Sequence, residues 1–301
     1  MNLNKWLLAK VSRALVKINF HKFYPLKKNK REPAQIKVVF FCGASGLSYL
    51  NASLISVYKS WEKIPEIYII SDGSSIKEMQ DKLIKWPQKI EIQSWEFFAN
   101  YFKDNGNVHL YNFAKNTIYG KKLVGILYYA QKYPILYSDT DVLWFNSPLE
   151  KNFKVGAKPY IKMGQDVGHF YHMPLIESVG EQKCLNTTAL NSGIMYLVGS
   201  FSDYPKWDLL CETLGTYKKV KGVYEGFPEQ TAFAILNNHF NSDNFFKEDE
   251  ILIKVDDEFS FKDTRNAYPK ILARHYVSVK GTAFWRDFLY IAFQNRAKSK
   301  I

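Results

Sequence analysis

The sequence predicts an α/β fold, a mostly parallel sheet covered by helices on both faces. Three observations predict it. Short runs rich in Val, Ile, Phe and Tyr alternate with longer segments of helical spacing. These runs are apolar on successive residues rather than on every second one, as in strands buried on both sides. Three of them end in small or acidic turns: Cys42-Gly43-Ala44-Ser45, Asp72-Gly73-Ser74 and Asp139-Thr140-Asp141. Open α/β sheets bind ligands beyond the carboxyl ends of their strands, so the three turns are expected on one functional rim.

Taken in order, "IKVVFFCGAS" from Ile36 reads as a strand and turn, followed by a helix over Ser48–Trp61. "EIYIISDGS" is a second strand, Ser75–Trp86 a second helix and "KIEIQSW" a third strand. Tyr111–Lys132 has helical spacing and leads into "PILYSDTDVLWFNSP", a buried strand with two aspartates at its end. Gly156–Cys184 reads as loop-rich, with His169, Tyr171 and His172 in it. "LNSGIMYLVGS" is a further apolar strand, "EGFPEQTAFAILNNH" a loop entering a short helix, and "RHYVSVKGTAFWRDFLYIAF" an aromatic-rich helical close. With no internal repeat or low-complexity linker, one domain over 34–301 with an appendage over 1–33 is the simplest division.

The 301 residues carry a formal charge of +12, unevenly spread. Residues 1–31 hold nine Lys or Arg and no acid, leaving 32 basic against 29 acidic residues in the rest. The near-neutral body argues against a nucleic-acid partner. In the arm, Leu3, Leu7, Leu8, Val11, Ala14, Leu15 and Ile18 fall on one helical arc, opposite Lys5, Lys10, Arg13 and Lys17. Such a helix either lies on an anionic membrane surface, with Lys27, Lys28, Lys30 and Arg31 extending the patch, or packs on the body or a partner chain. No apolar run approaches the ~20 residues that span a bilayer, and Lys10 and Arg13 interrupt any signal-peptide core. Three scattered cysteines, Cys42, Cys184 and Cys211, point to a reducing, cytoplasmic setting.

An uncompensated pair of carboxylates beside an apolar strand is costly. Asp139 and Asp141 offer hard oxygen ligands to Mg²⁺ or Mn²⁺, which can bridge nucleotide phosphates. On an extended segment the Asp-x-Asp spacing puts both side chains on one side.

"YSDTDVLWFNSP", "LNSGIMYL", "PEQTAFA" and "RHYVSVKGTAFW" together resemble the motifs of metal-dependent nucleotide-sugar glycosyltransferases of the GT-A fold, in the same order. The likeness is nearest to the retaining group with glycogenin and the lipopolysaccharide galactosyltransferases, and covers roughly residues 36–290. The resemblance implies a Rossmann-like GT-A domain, a UDP-sugar donor and a glycan or lipid-linked acceptor. It gives Asp139, Asp141 and His275 as metal ligands; an imidazole favours Mn²⁺ over Mg²⁺. It gives Lys280 to the diphosphate, although the positions three and six after the histidine, usually Gly and Lys, are Ser278 and Gly281 here. Asn191 falls on the donor-sugar side, while Glu229 and Gln230 stand where the family has Asp-Gln beside the reacting carbon. Lys122, or its neighbour Lys121, matches a basic residue facing the donor. Asp72, on the second turn of the rim, joins the expected donor-binding residues.

Blander readings stand beside these: a solvated turn for the Asp-x-Asp, a satisfied buried histidine, an ordinary Asn-Ser-Gly turn. Two other functions compete. A haloacid-dehalogenase-type phosphatase also places Asp-x-Asp after an apolar strand, but on its first strand, whereas three strands precede it here. A non-catalytic nucleotide- or sugar-binding module at a membrane surface would bind UDP without releasing sugar.

Overall fold

The computed structural model describes residue 14 and residues 31–148, 158–219, 225–241, 245–253, 270–277 and 283–293. Most of the arm expected over 1–33, and Lys280, lie outside the described residues.

A seven-stranded sheet organises the chain. It holds β1 (Lys37–Cys42), β2 (Ile67–Ser71), β3 (Ile90–Ser94), β4 (Ile135–Ser138), β6 (Tyr160–Gln165), β7 (Leu190–Val198) and β8 (Phe245–Phe246), in the order β3-β2-β1-β4-β7-β6-β8. Of these strands, β7 alone runs against the rest. A smaller sheet, β5-β10-β9, joins β5 (Val142–Trp144), β9 (Ile251–Ile253) and β10 (Ala273–His275).

Strand alternation divides the core in two. On β1, Val38 and Phe40 face the cluster under α1 (Leu47–Ser60), α2 (Ile76–Lys82) and the C-terminal helix α9 (Ala283–Phe293). Val39 faces the other cluster, under α3 (Trp95–Asp104), α4 (Val108–Asn116), α5 (Ile118–Lys132), α6 (Met173–Val179), α7 (Trp207–Thr216) and α8 (Pro228–Asn241). Both faces being buried explains the unbroken apolar runs. Truncating a fully buried residue such as Phe40 to Ala would cost about 3–5 kcal/mol.

Several elements differ from expectation. The helix expected over Tyr111–Lys132 is two helices, α4 and α5, broken at Thr117, whose backbone is extended. The Thr117 hydroxyl donates to Phe113 O (2.9 Å) and accepts from Gly120 N (2.8 Å), closing one helix and capping the next. The second helix stops at Lys82, short of Trp86, because Asn51 of α1 intercepts its backbone: it donates to Lys82 O (3.0 Å) and accepts from Ile84 N (2.9 Å). Gly156–Cys184, expected to be loop-rich, contains β6 and α6. The short helix after Gly226 runs for 14 residues, and α3 was unforeseen. "PILYSDTDVLWFNSP" is not one strand but two, β4 and β5, in different sheets.

Candidate active site at the carboxyl rim

Parallel β1, β2 and β4 deliver their three turns to one rim, as expected from the sequence. Antiparallel β7 begins there, so Asn191, Ser192 and Gly193 sit inside a strand, not in a turn. Their backbone bulges, since Met163 pairs with Met195 while Gly164 pairs with Asn191. The bulge brings Gly193 O to accept from Asp139 N at 2.7 Å. His275 arrives from the other sheet, where β10 pairs with β5 and His275 lies opposite Val142. Together these elements line a cleft of about 530 Å³, with Tyr119 and Phe227 on one wall.

Asp139 and Asp141 converge on a turn rather than by strand alternation: Val142 N donates to Asp139 O (3.3 Å). His275 Nε2 lies 3.4 Å from Asp141 Oδ1 and 3.6 Å from Asp139 Oδ2. One ligand atom from each of the three lies within 4.8 Å of the others. Two carboxylates and an imidazole suit Mn²⁺ or a similar divalent ion, and Tyr276 N, donating to Asp141 O (3.1 Å), extends the β5–β10 pairing to the residue beside His275. Burial alone would lower the His275 pKa, but Asp141 and then Asp139 raise it above its ordinary value.

Lys122 lies buried behind the pair. Its ammonium is 3.3 Å from Asp139 Oδ1 and 3.7 Å from Glu229 Oε1, and reaches Ser192 O and Oγ at 3.4 and 3.3 Å. Desolvation opposes its charge, yet Asp139 and Glu229 hold its pKa above normal. Lys121, the other candidate, points away: it donates to Asp72 O (2.8 Å) and lies over the Trp95 ring.

Gly226 sets the entry of α8. Its φ is +80°, and a Cβ there would lie 2.2 Å from Tyr171 O. Pro228 then opens the helix, turning Glu229 and Gln230 into the cleft. Burial pushes the Glu229 carboxyl up, and Lys122 offsets this only in part. Its Oε2 meets no hydrogen-bond partner among the described residues.

Three groups escaped sequence reasoning. Tyr137 OH donates to Asp139 Oδ1 from the buried face of β4. Asp166 accepts from Asn191 Nδ2 (3.0 Å) and Gln230 Nε2 (3.4 Å). Asp166 was visible in principle, because it directly follows a strand, "YIKMGQ", as Asp139 follows "ILYS". Gly193 is needed bare because the His275 ring packs on it.

Asp72 reaches the rim beside Gly43 but does not line the cleft. Its Oδ1 accepts from Ser74 N (2.9 Å) and Ser74 Oγ (2.7 Å), shaping its own turn. All three cysteines are buried and free, and burial raises the Cys42 and Cys211 thiols to about 12.

No protein-family model and no curated protein matches the sequence. Solved structures match its fold. Mouse xyloside xylosyltransferase 1 in its apo form superposes with a TM-score of 0.52 at 13% identity, covering 81% of this chain and 98% of that one. The galactosyltransferase LgtC, in complex with donor and acceptor sugar analogues, gives 0.51 at 15%, covering 85% and 95%. The chain has the GT-A fold. The bifunctional glycosyltransferase WbbM gives 0.54 at 15% identity; this chain covers 50% of it. In the GT-A architecture observed here, the Asp-x-Asp follows the fourth strand, after β1, β2 and β3, unlike the first-strand position of a haloacid-dehalogenase site. Among the described residues no helix is long and apolar enough to cross a membrane.

Proposed function

We propose that this GT-A chain is a metal-dependent glycosyltransferase. It moves a sugar from a nucleoside diphosphate, a UDP-sugar, to a glycan or lipid-linked acceptor with retention of configuration. The observation that carries the reading is the convergence of Asp139, Asp141 and His275 at the base of a cleft, on a fold shared with solved glycosyltransferases. Asp139, Asp141 and His275 would hold Mn²⁺ or Mg²⁺. When bound, the ion supplies Lewis acidity that offsets charge on a departing diphosphate.

The remaining roles belong to the protein. Lys122 places one ammonium between the carboxylates of Asp139 and Glu229. Glu229 lines the cleft beside Gln230, on the side where a donor sugar would lie. Gln230 and Glu229 put polar oxygens beside a ring carbon that gains positive charge as its bond stretches. Asn191 orders the donor-sugar side, Asp72 the neighbouring turn of the rim, and Lys280 adds a cation toward the diphosphate. Tyr119 and Phe227 restrict water on one wall. Retention rests on the family likeness, with the acceptor attacking from the leaving-group face, so no base is assigned.

A panel of nucleotide-sugars, with and without Mn²⁺, tests the reading by release of free sugar. One UDP-sugar should be hydrolysed only with metal. Binding of UDP with Mn²⁺ but release from no donor would favour a binding module. Anomeric NMR of the first product tests retention, and an inverted anomer would remove it.

We also propose that the arm brings the enzyme to the cytoplasmic face of an anionic membrane, where a lipid-linked acceptor would lie. Deleting residues 1–33 should abolish sedimentation with anionic vesicles; unchanged sedimentation discards this.

A further inference from the structure

We propose that Asp166 is a positioning residue that fixes the tautomer of His275, and with it which ring nitrogen faces the metal site. The affinity arm of its test rests on the metal reading above.

The argument is one of donors and acceptors. An ionised carboxylate only accepts, an amide has one accepting and one donating end, and a neutral imidazole has one of each. Asp166 is 6% exposed and does not line the cleft, so it acts on reactants only through other groups. Its Oδ1 accepts from Val167 N (2.8 Å). Its Oδ2 takes the amide nitrogens of Asn191 (3.0 Å) and Gln230 (3.4 Å). Both amides must therefore turn their NH₂ ends toward Asp166 and their oxygens away.

The oxygens then meet donors that suit them. Gln230 Oε1 accepts from Ser192 N (3.2 Å), and Asn191 Oδ1 accepts from Gly193 N (2.7 Å). Asn191 Oδ1 also lies 3.0 Å from His275 Nδ1. An amide oxygen cannot donate, so Nδ1 must carry the proton. In the neutral ring this leaves the lone pair on Nε2, the atom facing Asp141 and Asp139, where a cation can take the place of the proton that the two carboxylates otherwise favour. Such outer partners commonly set ligand orientation in metal sites.

Without Asp166, two buried NH₂ groups lose their acceptor. Gly193 N alone would then hold the Asn191 amide. A rotated Asn191 would present NH₂ to Nδ1, sending the proton to Nε2 and closing that nitrogen as a ligand.

The test is a long-range ¹H–¹⁵N spectrum of histidine-labelled, metal-free protein at a pH where His275 is neutral. His275 signals are assigned by their loss in His275→Gln. Wild type should show the proton on Nδ1. In Asp166→Asn the Nε2-protonated form should appear, and the Kd for Mn²⁺, read by electron paramagnetic resonance, should rise about tenfold. A wild-type spectrum with the proton on Nε2 overturns the inference, as does an unchanged tautomer in folded Asp166→Asn. Should that variant not fold, the wild-type spectrum decides. A wild type that binds no Mn²⁺ would instead sink the proposed function, and the tautomer would still judge Asp166.

Discussion

The ring of His275 rests on the bare backbone of Gly193: a Cβ there would lie 2.2 Å from His275 Cε1 and 2.4 Å from Nδ1. The strand conformation itself does not demand glycine; the ring does. Gly193→Ala should push His275 off the aspartates while leaving β7 paired. We predict a rise of about tenfold or more in the Mn²⁺ dissociation constant, read by titration, with little change in far-UV circular dichroism. Unaltered affinity would mean that the ring can shift without losing the ion.

Lys122 supplies the second prediction. Lys122→Met keeps the length of the side chain but leaves Asp139 and Glu229 facing each other without a cation. Breaking a buried pair in this way should cost about 3 kcal/mol in denaturant unfolding without metal, and saturating Mn²⁺ should recover part of it. Lys121→Met, which removes an ammonium lying over Trp95, should cost less than about 1 kcal/mol. Equal losses would contradict the division of labour between the two lysines.

Much of this arrangement can be read from residues alone, and the unread parts have a common cause. Strands β1, β2 and β4 announce themselves because both faces are buried, and the Asp-x-Asp at the end of β4 marks the rim. The break at Thr117 is hidden because the apolar spacing continues through it; only the close approach of Gly120 to the Phe113 backbone reveals why the chain must turn. The meeting of Asp139 and Asp141 was foreseen, but for the wrong geometric reason, a strand in place of a turn. The position of Asp166 at a strand end is legible, but its partners Asn191 and Gln230 are distant in sequence, and the Tyr137 contact with Asp139 depends on the turn that no strand pattern predicts.

The α4–α5 junction is itself testable. A Cβ on Gly120 would lie 2.3 Å from the Phe113 carbonyl. Gly120→Ala should destabilise the fold by about 1–3 kcal/mol, despite the higher helix propensity of alanine. A stabilised variant would show that the two helices can separate freely.

The pH dependence of stability should reverse with metal. Without metal, the His275 pKa is raised above its ordinary 6.5: burial opposes the charge, but Asp141 and Asp139 prevail. A raised folded pKa contributes stability that is present below the unfolded value and lost as pH climbs through the folded one. The His275 contribution to the metal-free Tm should therefore fall over that window. With saturating Mn²⁺ the imidazole must be neutral, so the metal's contribution grows over the same window. The Tm increment from Mn²⁺, followed from about pH 6 to 9, should increase with pH. In His275→Gln this increment should lose its pH dependence over that range. An increment independent of pH in the wild type would exclude His275 as a ligand.

The central claim is that Asp139, Asp141 and His275 hold a cation that joins the protein to a nucleoside diphosphate. Calorimetric titration of UDP into the full chain, with and without Mn²⁺, tests it most directly. The account predicts binding only in the presence of metal, lost in Asp139→Asn and Asp141→Asn. UDP binding of equal strength without metal, or unchanged by those two substitutions, would contradict it.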